Sequence, residues 1–224
     1  MIGAEISGRR IGTEGNPIAI VDGFHPDPFR LRADAIAASF EPALFHYPGV
    51  RAPLPDDYFA AVRPALTAAL RQVFGHSAGI TLLDASFSIV TTPPGRLSLG
   101  QCLPHVDAIE PNRVALVHYL DPAGGDGTAF FRHRATGYES LDPERGPHYR
   151  ERLNEELRLV LPPRAYPVGD SALFEQVAAA EARFNRAVIY RSALLHSGAI
   201  STDSPLSADP ATGRLTITAF MSID

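Results

Sequence analysis

The chain has 224 residues, 45% hydrophobic and 20% charged, with a formal net charge of -5; this is ordinary globular composition, long enough for one sizeable domain whose core needs no disulfide support. Its single cysteine, Cys102, excludes an intramolecular disulfide and suits a reducing cytoplasm, the expected location. All 20 basic residues are arginines in no basic run, and no apolar stretch reaches the roughly 18–20 residues that span a bilayer, so neither a nucleic-acid nor a membrane partner is expected.

The N-terminus has no charged start followed by an apolar core and does not read as a signal peptide. Residues 18–21 read as the first strand, closed by Asp22 and Gly23. Asp27-Pro28 marks a helix start, and residues 29–40 carry apolar side chains at helical spacing. The proline- and aromatic-rich EPALFHYPGVRAPLP reads as an irregular loop, whose Phe45-His46-Tyr47-Pro48 either lines the mouth of a site or packs on the surface. Asp56 can cap a second helix, DDYFAAVRPALTAALRQVF, in which Pro64 is either a kink or the true start.

From Ile80 the pattern changes. ITLLDASFSIVT alternates like a strand, and Thr92-Pro93-Pro94-Gly95 is a turn. Further strands are expected at 97–103, 114–120 and 127–132, partial helix at 146–167, helix at 171–183, and closing strands at 186–195 and 214–223. Helices followed mostly by strands predict an α+β fold: a β-sandwich or barrel with helices on one side.

The chemistry starts at Leu103-Pro104-His105-Val106-Asp107. Residues i and i+2 of a strand share a face, so His105 and Asp107 can converge on one ion. Of the seven other histidines, His196 in RSALLHSGAI is best placed, at the end of an apolar strand and before a small polar turn. Two histidines and one carboxylate on one face leave coordination positions free, the arrangement of non-haem Fe(II) oxygenases. The alternative is three polar residues at strand ends satisfying local hydrogen bonds. Downstream, Arg214, Thr216 and Thr218 share one face of an alternating strand; on an inward face an arginine with two hydroxyls calls for an anion, and the alternative is a solvent-exposed face on which Arg214 is a surface residue. Tyr119 alternates with Val117 and Ala115; if inward, its hydroxyl needs a polar partner, and its neighbour His118 should point away from the metal.

The sequence PHVD, then NRVALVHYL, GGDGTAFF, ALLHSG and RLTITAF resembles the 2-oxoglutarate- and Fe(II)-dependent dioxygenases, most closely their prolyl-hydroxylase-like branch. VDGFHPDPFRLRADA, FHYPGVR and FFRHRATG further resemble an uncharacterised bacterial subfamily of that superfamily. The resemblance spans residues 104–220 and implies a double-stranded β-helix, or jelly roll, with N-terminal flanking helices: residues 1–79 a strand and supporting helices, residues 80–224 the core with an insert at 132–183, expected to cover the site as a lid. It implies an iron triad of His105, Asp107 and His196, with Arg214 holding the distal carboxylate of 2-oxoglutarate and Tyr119 and Thr218 assisting. Arg214 lies eighteen residues beyond His196, further than the family spacing; the loop-like STDSPLSADPATG absorbs the excess. The implied reaction is hydroxylation of a small-molecule or amino-acid- or peptide-like substrate; halogenation is disfavoured because Asp107 takes the position a halide would need. Arg51, Arg113, Arg132, Arg134 and Arg191 are candidate contacts for an anionic substrate. Two other readings use the same residues: a cupin-like metal protein without 2-oxoglutarate, and a non-catalytic binding module on this fold.

Overall fold

The computed structural model describes residues 3–43 and 46–223, so Phe45 of the expected mouth lies outside the described residues. The strands in chain order are β1 (Glu5–Ile11), β2 (Asn16–Asp22), β3 (Glu41–Pro42), β4 (Gly49–Ala52), β5 (Ile80–Val90), β6 (Arg113–Tyr119), β7 (Gly125–His133), β8 (Phe174–Ala182), β9 (Arg186–Arg191), β10 (His196–Gly198) and β11 (Leu215–Ile223). The helices are α1 (Pro28–Ala37), α2 (Tyr58–Phe74) and α3 (Arg145–Leu159). All strand pairs are antiparallel, in a large sheet ordered β1-β2-β9-β6-β11-β5-β4-β3 and a small sheet ordered β10-β7-β8.

Strand alternation sorts the large sheet's side chains between two cores. Leu116, Ile189, Ile217, Ala219 and Met221 pack against Leu31 and Ala35 of α1 and Tyr58, Val62, Leu66 and Leu70 of α2. The buried α2 positions recur every three to four residues, which is why this segment folds as a helix lying on a sheet. Each fully buried apolar side chain adds roughly 1.5–3 kcal/mol to that contact. The opposite face presents Ala115, Tyr119, Val188 and Tyr190 to Phe130, Ala180 and Ala182 of the small sheet. The two sheets therefore face one another, and Tyr149 of α3 covers the outside of the small sheet with Phe131, Phe174 and Leu195. Among the described residues no helix is long and apolar enough to cross a membrane.

Asp27 caps α1 as its sequence suggests, accepting from the Arg30 N–H at 3.0 Å with Pro28 in the first turn. In α2 the cap position falls to Asp57, whose side chain makes no cap bond and pairs with Arg30 at 2.8 Å, and Pro64 sits inside the helix rather than at its start. Residues 171–183 correct the helix expectation: the alanine-rich run is helix-favouring by propensity, but 174–182 pairs along β7 as β8, where small side chains fit between the sheets. Residues 97–103 are not a strand either. Ser98 and Gln101 form a reciprocal capping box on a 3₁₀ turn, Leu99–Cys102. The expected strand 186–195 stops at Arg191, where a turn carries the chain across to the small sheet. The proline-rich loop contains the edge strands β3 and β4, and β1 also goes unsignalled because most of its residues face solvent. The β1–β2 turn needs Gly12: its φ is +64°, and a Cβ there would stand 1.9 Å from the Glu139 carboxylate.

Candidate metal centre

The turn after β9 builds the site. The Leu194 N–H closes on the Arg191 carbonyl at 3.0 Å, and two residues later His196 opens β10. His105 pairs with His196 through two backbone hydrogen bonds, both 2.9 Å, and the Asp107 N–H donates to the Ser192 carbonyl at 2.9 Å. These bonds hold the 103–107 segment along the crossover between the sheets. As a result His105, Asp107 and His196 each offer a ligand atom, all within 4.8 Å of one another. The Nε2 of His196 is 3.4 Å from one Asp107 oxygen and the Nε2 of His105 is 3.7 Å from the other.

The tautomer of His196 follows from its partner. Its Nδ1 lies 2.8 Å from the Leu194 carbonyl, which can only accept, so Nδ1 carries the proton and the Nε2 lone pair faces Asp107. Burial pushes His196 down to about 4 against that carbonyl's pull. Burial, with His196 alongside, lowers His105 to about 4 as well, while 52% of its side chain is open to solvent. Burial raises Asp107 to about 6, opposed by His105, Arg51 and Arg113. Two neutral imidazoles and a carboxylate short of solvent make a donor set that a divalent cation relieves.

Thr216 and Thr218 of β11, and Arg214 just before it, project into the space between the sheets, opposite the face that carries Leu215 and Ile217. Arg214 is 9% exposed; its Nε and Nη2 donate to the carbonyls of Asp126 (2.9 Å) and Gly127 (3.0 Å), and its guanidinium lies 5.6 Å from the Tyr119 ring centroid. Three of its five N–H donors remain. The Tyr119 hydroxyl shares a 2.7 Å hydrogen bond with Thr128, Thr218 shares one of 2.8 Å with Ser88, and Thr216 donates to the Ser88 carbonyl at 3.1 Å. His118 points the other way, into the helix side. Its Nδ1 is 3.2 Å from the Tyr58 hydroxyl, and its Nε2 is 3.0 Å from the Asn185 side-chain oxygen.

The five candidate anion-binding arginines divide. Arg132 is taken by Glu139 (2.6 Å) and Glu175 (3.1 Å), Arg134 by Asp170 (3.0 Å) and Arg191 by the Pro111 carbonyl. Arg51 and Arg113 stand on inward registers near Asp107, each with a buried Nε that has no hydrogen-bond partner among the described residues. Sequence reading missed several groups around them: Tyr190, whose ring is 4.7 Å from His196, and the hydroxyls of Ser86 and Ser192, which have no hydrogen-bond partner among the described residues; Tyr47 belongs to the loop expected at the mouth. The alternation Asp84-Ala-Ser86-Phe-Ser88 was the available signal, since it puts small polar groups on one face of β5.

Residues 3–221 match the family described as "Family of unknown function (DUF6445)". The chain belongs to the DUF6445 family. No curated protein matches it. Among solved structures, this DUF6445 chain is similar to the apo structure of the Kdo hydroxylase KdoO, a non-heme Fe(II) alphaketoglutarate dependent dioxygenase, at 13% identity and TM-score 0.39 over 88% of this chain and 84% of that one. It is similar to AviO1 from Streptomyces viridochromogenes Tue57 at 12% identity and TM-score 0.41 over 98% and 89% of the two chains. It is also similar to KdoO in complex with alphaketoglutarate and Fe(III), at 13% identity and TM-score 0.38 over 88% and 84%. Likeness at this level carries no argument about fold or chemistry.

Proposed function

We propose that this DUF6445 chain is a non-haem Fe(II)- and 2-oxoglutarate-dependent dioxygenase that hydroxylates a small-molecule or amino-acid- or peptide-like substrate on a double-stranded β-helix. The reading rests on one observation above all: the Nε2 atoms of His105 and His196 converge on the Asp107 carboxylate in the space between two facing antiparallel sheets. A buried arginine, Arg214, serves the same interior. Both features fit the groups they would hold. Two imidazoles and one carboxylate bind one face of an octahedral ion and leave three positions open, and a guanidinium with donors to spare takes a carboxylate end-on.

In this reading Fe(II) and 2-oxoglutarate, when bound, supply the oxidising chemistry: substrate C–H, O₂ and 2-oxoglutarate become C–OH, succinate and CO₂. The residues do the positioning. His196 is fixed by the Leu194 carbonyl with its lone pair toward the metal position. His105 is held by the paired backbone bonds to residue 196, so the two rings keep a 4.5 Å centroid separation. Arg214 takes the far carboxylate of the cosubstrate, and Tyr119 and Thr218 line its path. Tyr190, Phe130 and Phe220 exclude water from the inner side.

The test is anaerobic titration of 2-oxoglutarate into the Fe(II)-loaded chain. A visible metal-to-ligand charge-transfer band is expected in the wild type. His196→Ala should lose it together with at least one order of magnitude in metal affinity. A wild-type chain that binds Fe(II) yet develops no band, or a His196→Ala chain that keeps it, removes the reading. The same titration separates it from a cupin-like metal protein, which has no use for an inward Arg214.

A further inference from the structure

The large sheet has two unlike ends. Arg214 and the Tyr119–Thr128 pair occupy one. The triad lies toward the other: the Asp107 N–H bonds the Ser192 carbonyl, and the Ser192 N–H bonds the carbonyl of Arg113, the first residue of β6. Arg113 alternates with Val114, which faces the helices, so its side chain enters the space between the sheets. Arg51 reaches the same end from β4. It pairs in register with Ser88, but its guanidinium extends back along β5 to within 3.7 Å of Asp84, which lies opposite Phe220, itself opposite Ala115. The guanidinium also stacks 4.6 Å from the ring centroid of Tyr47, which lies on the Arg214 side near Thr216 and Ser88, so Arg51 spans from that end toward the triad. The two arginines thus flank the open side of the triad, where His105 is exposed.

Both arginines are half-buried, and each encloses one donor that finds no acceptor. Among the described residues the Nε of each is buried without a hydrogen-bond partner, as are the hydroxyls of Ser86 on β5 and of Ser192, whose N–H bonds the Arg113 carbonyl. Asp84 is 59% exposed and too distant from Arg51 for a hydrogen bond, so it leaves the fork open. Charge points the same way. A divalent ion, Asp107, a 2-oxoglutarate dianion and Arg214 neutralise one another, so Arg51 and Arg113 are surplus to the metal and the cosubstrate. From this we infer that the substrate carries an anionic oxygen group, a carboxylate or phosphate, held between Arg51 and Arg113 with Ser86 and Ser192 as further donors. Arginine is the fitting residue, because its planar fork meets both groups with two parallel hydrogen bonds. As a statement about a substrate it rests on the dioxygenase reading; as a statement about an anion site it stands on the unpartnered Nε groups of Arg51 and Arg113.

The experiment uses the full chain, anaerobic, with Fe(II) and saturating 2-oxoglutarate. N-acyl amino acids, short carboxylic acids and sugar phosphates are each paired with the corresponding amide or free alcohol, screened by shift in melting temperature and quantified by calorimetry. Acids or phosphate esters should bind, and their neutral counterparts about tenfold more weakly or worse. Arg51→Gln and Arg113→Gln should each weaken the best anion about tenfold or more, and the corresponding lysine variants should recover part of it. The charge-transfer band of bound 2-oxoglutarate should survive in all four, which shows an intact fold and separates this site from Arg214. Neutral partners binding as well as acids, no anion binding at all, or glutamine variants with wild-type affinity and an intact band would overturn the inference. A wild type without the band sinks the dioxygenase reading alone, since calorimetry still reads the acid preference and its dependence on Arg51 and Arg113.

Discussion

Arg214→Gln should separate two tasks that one side chain performs. In the resting protein Arg214 ties down the start of β7, donating to the carbonyls of Asp126 at 2.9 Å and Gly127 at 3.0 Å. Glutamine is too short to replace either bond, so the variant should unfold with about 1–3 kcal/mol less free energy, the cost of leaving such acceptors unpaired. Binding is a separate loss. The remaining donors, on Nη1 and the second hydrogen of Nη2, can make two charge-assisted bonds to the far carboxylate of 2-oxoglutarate. At roughly 1.5–3 kcal/mol each, with some overlap, they should contribute about 3–4 kcal/mol in a site that excludes water. The dissociation constant for 2-oxoglutarate should therefore rise on the order of 10²–10³-fold, while Fe(II) affinity stays within about threefold because the triad belongs to other elements. Calorimetric titration of the anaerobic, Fe(II)-loaded variant reads the binding term, and urea unfolding reads the stability term. If stability falls as stated but 2-oxoglutarate binds within about threefold of wild type, Arg214 is only a strut for β7 and the anchoring role fails.

Two further predictions concern the scaffold. His118 is fully buried, and burial lowers its pKa to about 3 against the pull of Asn185. Above its unfolded value of about 6.5 neither state is protonated and stability is complete; as pH falls from there toward 3 the unfolded chain takes up the proton first, so stability is lost at up to about 1.4 kcal/mol per pH unit. Urea unfolding of His118→Gln should show a slope smaller by about half a proton at pH 6.5, rising to close to one proton at pH 5, and an unchanged slope would mean that other groups, His25 among them, carry the dependence. Glu139, whose side chain is 1% exposed, accepts from the Thr13 and Glu14 N–H groups (2.8 and 3.1 Å) and from Arg132 (2.6 Å), binding the β1–β2 turn to the segment after β7. Glu139→Ala strands those two N–H groups while Arg132 keeps Glu175 and solvent, so the loss should be about 2–3 kcal/mol by chemical denaturation; a loss under about 0.5 kcal/mol would show the turn to be independent of that carboxylate.

What could be read from the sequence, and what could not, follows from the range of the forces involved. Alternation marks β5, β6 and β11 because each has one face toward the helices and one toward the small sheet, and β7 because its faces alternate between the large sheet (Phe130) and the α3 side (Ala129, Phe131). Residues 174–182 mislead because their alanines favour helix locally and only the edge of β7, some forty residues earlier, makes them a strand. His105 and Asp107 are recognisable as a pair from their spacing, although no long strand carries them: His105 forms a single bridge to His196. His196 looks like the end of β9 and is instead the start of β10, because the turn at 192–195 that separates them is built from small and apolar residues with no glycine or proline to announce it.

The hardest part to read was which arginines matter. Nothing in FFRHR distinguishes Arg132 and Arg134 from Arg51 in GVRAP; the difference lies in distant carboxylates at Glu139, Glu175 and Asp170, which occupy the first two. Arg51 and Arg113 remain because β4 and β6 bring them to the end of the large sheet near Asp107, which is committed to the triad, while the Asp84 carboxylate, 3.7 Å from Arg51, stays 59% exposed. An arginine's role here is set less by its own neighbours in sequence than by whether the fold delivers a carboxylate to it. The same reasoning makes the open end of this interior the place to look for what the chain binds, and the acid-versus-amide comparison the measurement that decides it.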